Sequence, residues 1–216
     1  MKHIVKTLGI ILALLALKAC QQRKALPSPQ EDVLYDVECF YAHHPDSALQ
    51  ILDTLDIEAL SQKERAHYCL LKAQAISQID FTDTEADSLL QVAEDYFSSH
   101  DEKYFEALTY YARSRIALLN GSDEKTVTEL ALRTLHCIEV CQHVDERLLR
   151  CSDDDEQTII GTFRSQIQMR LSAFYSSTGF VEESIHYAKL ADQFYAEQDE
   201  TRQRIKPSFI LGNNYL

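Results

Sequence analysis

The residues of this chain best suited to chemistry at a metal or as nucleophiles are its cysteines. There are six, namely Cys20, Cys39, Cys69, Cys137, Cys141 and Cys151. Cys137 and Cys141 lie four positions apart, on one face of a predicted helix, and with His143 and Cys151 they suggest a zinc site. The chain has no Cys-x-x-Cys pair, however, and the spacing is loose for a set of zinc ligands. The sequence therefore predicts no metal site, and thiols that pack as small apolar side chains.

Two polar segments carry further candidate groups, and both are better explained as the starts of helices. His43 and His44 come just before Asp46, with no further histidine or glutamate at ligand spacing. Asp46 is predicted to cap the helix that follows. The acidic run at 152–156 lacks the glycine and the distal glutamate of a calcium-binding loop. Acidic side chains ahead of a helix near Thr158 favour capping and interaction with the helix dipole.

Composition and missing motifs exclude several classes of function. The 216 residues include 34 acidic and 21 basic side chains, a formal charge of −13, which argues against nucleic acid as a partner. The five glycines are too scattered to form a phosphate-binding loop, and no Gly-x-Ser-x-Gly segment is present. We therefore predict a protein that is not an enzyme, with no catalytic residue, no metal and no cofactor.

The first twenty residues have the pattern of an export signal. Lys2 and Lys6 precede an apolar run of eleven residues at 7–17, which is shorter than the about 20 residues of a membrane-spanning helix. The run closes with Leu17-Lys18-Ala19-Cys20, which resembles the lipobox of bacterial lipoproteins. The resemblance implies cleavage before Cys20, diacylation of its thiol and acylation of the new amino terminus. Two or more acyl chains give stable membrane anchoring.

This processing divides the chain into three parts. Residues 1–19 form the signal peptide, residues 20–40 the lipidated cysteine and a flexible tether, and residues 41–216 a helical repeat domain. Within the tether, residues 21–31 are polar and interrupted by proline. Residues 1–19 contain three lysines and no acidic residue, so the processed chain carries a formal charge of −16. A body this acidic is repelled by anionic lipids, so we expect the acyl chains to hold it at the membrane.

The cysteines that remain after lipidation are candidates for disulfides. Five are left, and an odd number cannot all pair within the chain. An exported protein can form disulfides. Two pairings are possible, Cys141 with Cys151 and Cys39 with Cys69, and the sequence leaves both open.

The periodicity of apolar residues predicts an all-α fold. From about residue 46 onward, apolar side chains recur at spacings of three and four, without sustained alternation. Ser61 and Glu64 have the spacing of a capping box, Thr84 begins another predicted helix, and Asn120-Gly121 ends one. Short turns between the predicted helices favour antiparallel hairpins. Since one hairpin cannot bury its apolar stripe alone, we expect a stack of hairpins, an α-solenoid.

The clearest repeat unit runs from residue 165 to about residue 198. It has a Leu-small pair, an aromatic residue three positions later, a glycine at the turn, and small residues spaced four and three apart. These residues are Leu171, Ser172, Tyr175, Gly179, Ser184, Ala188 and Ala191. The pattern resembles the tetratricopeptide repeat, although Ser184 stands where alanine is commonest in that family. The first half of the pattern returns forty residues later at Leu211, Gly212 and Tyr215.

Together, the lipobox and this pattern resemble tetratricopeptide lipoproteins of the bacterial cell envelope, over residues 40–216. The resemblance implies a non-catalytic, lipid-anchored scaffold that binds a protein or peptide partner in a groove of helical repeats. Residues 21–24 lack the acidic run that accompanies surface export in some lipoprotein groups, so we expect the periplasmic side. Tyr110, Arg113 and Arg115 are the candidate partner-binding residues, because tyrosine and arginine are enriched at interfaces. The two arginines are candidates for contacts with peptide carboxylates.

Two alternative functions stay open. One is a glycan- or nutrient-binding lipoprotein of the outer membrane, although the chain has no tryptophan, the usual residue for stacking on sugars. The other is the N-terminal fragment of a longer tetratricopeptide regulator. The sequence stops at Leu216, inside the first helix of a predicted repeat, so we expect a truncated repeat domain.

Overall fold

The computed structural model describes residues 28–80, 82, 84–152 and 154–198, and this part of the chain is all-helical. Its helices are α1 (Pro29–Phe40), α2 (Pro45–Leu52), α3 (Gln62–Ile79), α4 (Thr84–Phe97), α5 (Lys103–Leu119), α6 (Glu124–Val140), α7 (Glu156–Thr178) and α8 (Val181–Glu197). Short 3-10 turns at Ile57–Ala59 and Leu148–Cys151 lie between helices, and the described residues contain no strand. The prediction of an all-α fold is confirmed.

Several predicted features lie outside the described residues. They are the signal peptide at 1–19, the lipidation site Cys20, and the second repeat signature at Leu211, Gly212 and Tyr215. They stay predictions from the sequence.

Helix α1 occupies part of the segment that the sequence assigns to a tether. The Ser28 hydroxyl accepts a hydrogen bond from the Glu31 N–H at 3.0 Å, and proline fills the first helical position. Leu34 and Val37 are fully buried against α2 and α3. The tether prediction is therefore wrong from residue 29 onward. The sequence did not reveal this helix because the apolar stripe of α1 is short and the residues that cover it come from later in the chain.

Most of the predicted helix starts are confirmed by their hydrogen bonds. At Ser61, the N–H donates to the Glu64 carboxylate at 2.7 Å and the hydroxyl accepts from the Glu64 N–H at 3.3 Å, which completes the capping box. Asp155 accepts from the Thr158 N–H at 2.8 Å and caps α7. Asp46 does not cap α2, because that helix begins one residue earlier and Asp46 lies in its first turn. Its carboxylate still suits the positive end of the helix dipole.

Neighbouring helices pair along the chain. The most extensive contacts join α3 to α4, α5 to α6, and α7 to α8. The connections within these pairs are two to four residues long, so the paired helices run antiparallel. Gly121 and Gly179 end α5 and α7 with left-handed φ values of 68° and 86°, which confirms both predicted turns. Helix α4 also packs on α5, and α6 on α7, so each hairpin contacts the next.

Small residues allow α7 and α8 to come close together. The Ser172 hydroxyl donates to the Ser184 carbonyl at 2.8 Å, and the Ser184 hydroxyl donates to the Ser172 carbonyl at 2.9 Å. Both serines are fully buried. Elsewhere along the pair, a Cβ on Gly161 would collide with the ring of Phe194. The hairpin therefore depends on short side chains at these contacts.

We expect the substitution Ser184→Leu to lower the free energy of unfolding by about 1–3 kcal/mol, because a larger side chain has no space where α7 and α8 meet. Urea unfolding followed by circular dichroism measures the change. The matched control is Gln193→Leu on the exposed face of the same helix, for which we expect a change of about 0.5 kcal/mol or less. Equal stability of the two variants would contradict close packing at Ser184.

Candidate functional site

A recess of about 430 Å³ lies between α1, α5, α7 and the connection from α6 to α7. We call it the inner groove. Side chains on its walls include Tyr41, Gln78, Tyr104, Tyr111, Arg115, Leu148, Phe163 and Gln166. A recess of this size falls within the range of about 300–1,000 Å³ that is typical of ligand pockets.

Aromatic side chains link α5 to α7 in the inner groove. The ring of Phe163 meets Tyr111 edge-on, with centroids 5.4 Å apart, and meets Tyr104 at 6.0 Å. Both tyrosines are partly exposed, so their rings offer apolar surface to a ligand. Burial raises the pKa of Tyr104, so its hydroxyl stays protonated and can donate a hydrogen bond.

Residues 141–152, the crossing segment, form one wall of the inner groove, and Arg147 attaches this wall to α1. The Nη2 atom of Arg147 donates to Asp145 at 3.0 Å and to Glu31 of α1 at 2.7 Å. Its guanidinium carbon lies 3.9 Å from the centre of the Tyr35 ring. The Tyr35 hydroxyl donates in turn to Asp145 at 2.8 Å. One arginine therefore connects two segments more than a hundred residues apart in sequence.

The charges of this contact stabilise one another. Burial opposes ionisation of Asp145, but hydrogen bonds from Arg147 and Tyr35 hold the pKa of its carboxyl well below its usual range. The hydrogen bond to Asp145 raises the pKa of Arg147. Burial and the hydrogen bond to Asp145 raise the pKa of Tyr35. The cluster therefore remains a charged pair beside a neutral phenol across the physiological pH range.

A disulfide between Cys39 and Cys151 forms a second attachment between α1 and the crossing segment. Neither of the two pairings that the sequence left open is formed. Cys69 belongs to α3 and is buried in the cluster that α3 forms with α1 and α2. The Cys141 thiol donates instead to the His143 carbonyl at 3.3 Å. The observed pairing follows from the packing of α1 against the crossing segment, which spacing along the sequence does not reveal.

The three free cysteines in the described chain, Cys69, Cys137 and Cys141, are all buried. Burial raises the pKa of Cys69 to about 11 and that of Cys137 to about 12, so these thiols stay protonated at neutral pH. The prediction of thiols that pack as small apolar side chains is confirmed for these three, whereas Cys39 and Cys151 form the disulfide. Across the described ranges, no three or more histidine, cysteine or acidic side chains are grouped to hold a metal ion.

Of the three predicted partner-binding residues, Arg115 lies on a different face of α5 from Tyr110 and Arg113. Arg115 lines the inner groove. Arg113 faces α4, where it forms an ion pair with Glu94. Tyr110 is buried, and the guanidinium of Arg133 lies 5.6 Å from its ring centre. Because residues two apart on a helix point about 200° apart, Arg113 and Arg115 cannot face one ligand together.

The repeat-signature residues of the α7–α8 hairpin come together at the contact between these helices. Five of them are buried, namely Leu171, Ser172, Ser184, Ala188 and Ala191. Tyr175 is partly exposed and stacks on Tyr187, with centroids 5.8 Å apart and an interplanar angle of 4°. These residues shape the hairpin, so their contribution to any binding is to position other side chains.

Sequence reasoning missed several residues of the inner groove. Tyr104 and Tyr111 are seven positions apart, and this spacing places them on one helix face. That signal could have identified the pair. Tyr41 and Phe163 carry no comparable local signal, because they reach the groove from a turn and from another helix.

Comparisons with protein-family models and with curated proteins found no match to this chain, and a comparison with solved structures found none to its fold. Within the described ranges, no helix combines the length and the apolar character needed to cross a bilayer.

We expect Arg147→Met to lower the free energy of unfolding by about 2 kcal/mol, since Asp145 and Glu31 lose the cation that compensates their partial burial. Urea unfolding measures the difference. The control is Lys125→Met, which removes an exposed ion pair of 3.8 Å with Glu129 and should change stability by about 0.5 kcal/mol or less. If the two variants are equally stable, Arg147 does not hold the crossing segment in place.

Proposed function

We propose that this chain is a non-catalytic scaffold, lipid-anchored in the bacterial cell envelope, that binds a protein or peptide partner in the inner groove. The observation that carries the proposal is the groove itself. Helices α5 and α7, the first helices of two successive hairpins, both contribute to it. Helix α5 presents two partly exposed tyrosines and Arg115 to the recess, and α7 presents Phe163 and Gln166. Tyrosine and arginine are the side chains most often found at the energetic centre of protein interfaces.

A tetratricopeptide-like arrangement is part of this proposal. Its support is the series of antiparallel hairpins that contact one another in chain order. The last hairpin adds the close approach of Ser172 to Ser184 and the left-handed Gly179. In such a stack the aligned first helices form an extended binding surface and each repeat contacts only its neighbours. The contact of α1 with residues 145–151 departs from that pattern.

Export and anchoring rest on the amino-terminal pattern and on the cysteines. A disulfide such as Cys39–Cys151 persists in oxidising compartments, which favours a location outside the cytoplasm. If Cys20 carries the lipid, the eight residues between it and Pro29 span at most about 30 Å. The helical body would then lie close to the membrane surface, and we favour the periplasmic side.

Photo-cross-linking in cells that produce the chain tests partner binding. Gln78 and Gln166 are exposed and line the inner groove, so a benzoylphenylalanine at either position probes it without altering the core. Leu190, which is exposed on α8, is the control position. We expect irradiation to give a cross-linked species of one defined mass from both groove positions and none from Leu190.

A second change makes this experiment specific to the groove. With the cross-linker at Gln166, the substitution Arg115→Glu should lower the yield at least about fivefold, because reversing a charge in the groove disfavours the partner. The exposed Arg150→Glu, whose side chain does not line the groove, is the matched control. Equal yields from Gln166 and Leu190, or no effect of Arg115→Glu, would contradict partner binding in the inner groove.

A further inference from the structure

A second cavity, of about 310 Å³, lies between α5, α6 and α7, and we call it the side pocket. Its walls are mostly apolar. The apolar side chains that form them include Leu118, Val127, Ala131, Ile167, Leu171 and Phe174. The volume lies at the lower end of the range for small-molecule sites, about 300–1,000 Å³. An apolar ligand of modest size therefore fits its shape and its surface.

The serine and threonine hydroxyls of the side pocket already donate hydrogen bonds within their own helices. Ser114, Thr128 and Ser177 each donate to a backbone carbonyl three or four positions earlier, at 2.8, 2.8 and 2.7 Å. A peptide brings N–H and C=O groups, and burying these groups without hydrogen-bond partners costs free energy. The walls thus favour an alkyl chain over a peptide backbone.

Charge at the side pocket has the opposite sign from the charge of the chain. Arg115 and Arg170 both line the pocket, and no acidic residue does. The guanidinium of Arg170 lies 4.8 Å from the ring centre of Tyr111, and neither arginine forms an ion pair with any residue in the described ranges. In a chain of formal charge −13, two uncompensated guanidinium groups beside one apolar cavity favour an anionic ligand.

We propose that the side pocket binds a long-chain alkyl carboxylate, with the alkyl chain among the apolar walls and the carboxylate on Arg115 and Arg170. Guanidinium groups hold carboxylates through paired charge-assisted hydrogen bonds. Both parts of the ligand are needed, since the alkyl chain alone leaves the arginines uncompensated and the carboxylate alone leaves the cavity empty. This binding does not require the partner proposed for the inner groove.

Photolabelling with site mapping tests the proposal. The full chain carrying Cys20→Ser, so that no attached lipid competes, is incubated with diazirine-bearing dodecanoate at a constant low concentration of non-ionic detergent. After irradiation and digestion, mass spectrometry locates the label. We expect it on peptides that contain residues 114–131 and 167–177, displaced by unlabelled dodecanoate but not by equal amounts of dodecanol or of hexanoate.

Variants separate the two halves of the ligand. In the double variant Arg115→Gln and Arg170→Gln, we expect the concentration of diazirine-bearing dodecanoate that gives half-maximal labelling to rise about tenfold. Arg164→Gln on the same helix as Arg170 is the matched control, since Arg164 does not line the pocket. Ala131→Phe fills the cavity and should abolish the label at these peptides, with circular dichroism confirming that the variant is folded.

Three results would overturn the proposal. Equal labelling by diazirine-bearing dodecanol would show that the carboxylate is not recognised. Unchanged labelling of the double arginine variant would show that Arg115 and Arg170 do not hold it. Displacement by a peptide with a carboxy-terminal leucine at lower concentration than dodecanoate would show that the pocket binds peptide ends instead.

Discussion

The attachment of α1 to the crossing segment is the contact on which the inner groove depends. Arg147 joins Asp145 to Glu31 and lies over the Tyr35 ring, while the disulfide joins Cys39 to Cys151. These contacts bring the first described helix against the segment that leads into α7. Without them, the groove would lose the wall that the crossing segment provides, although α1 would still contact α2 and α3.

Local features of the fold could be predicted because each is decided by a few neighbouring residues. The capping box at Ser61 and the glycine turn at Gly179 follow from the hydrogen bonds and φ values that a helix end requires. The disulfide could not be predicted, since its cysteines are separated by 112 positions and meet only after the helices pack. Helix α1 was missed for the same reason, because its buried face is covered by residues far along the chain.

The candidate site shows the same division between local and distant information. The two arginines of α5 were both predicted to contact the partner. Because they point in different directions on the helix, Arg113 lies beside Glu94 and only Arg115 lines the groove. Arg115 and Tyr111 line both the inner groove and the side pocket. If both proposals hold, an alkyl carboxylate in the side pocket contacts side chains that also face the partner.

The central claim is that α1 and the crossing segment together frame the inner groove, and disulfide mapping tests it most directly. The chain is isolated without reductant, unfolded, alkylated at its free thiols, digested and analysed by mass spectrometry. We predict a linked pair of peptides containing Cys39 and Cys151, with alkylated Cys69, Cys137 and Cys141. A link from Cys141 to Cys151 or from Cys39 to Cys69, or alkylation of both Cys39 and Cys151, would contradict the claim.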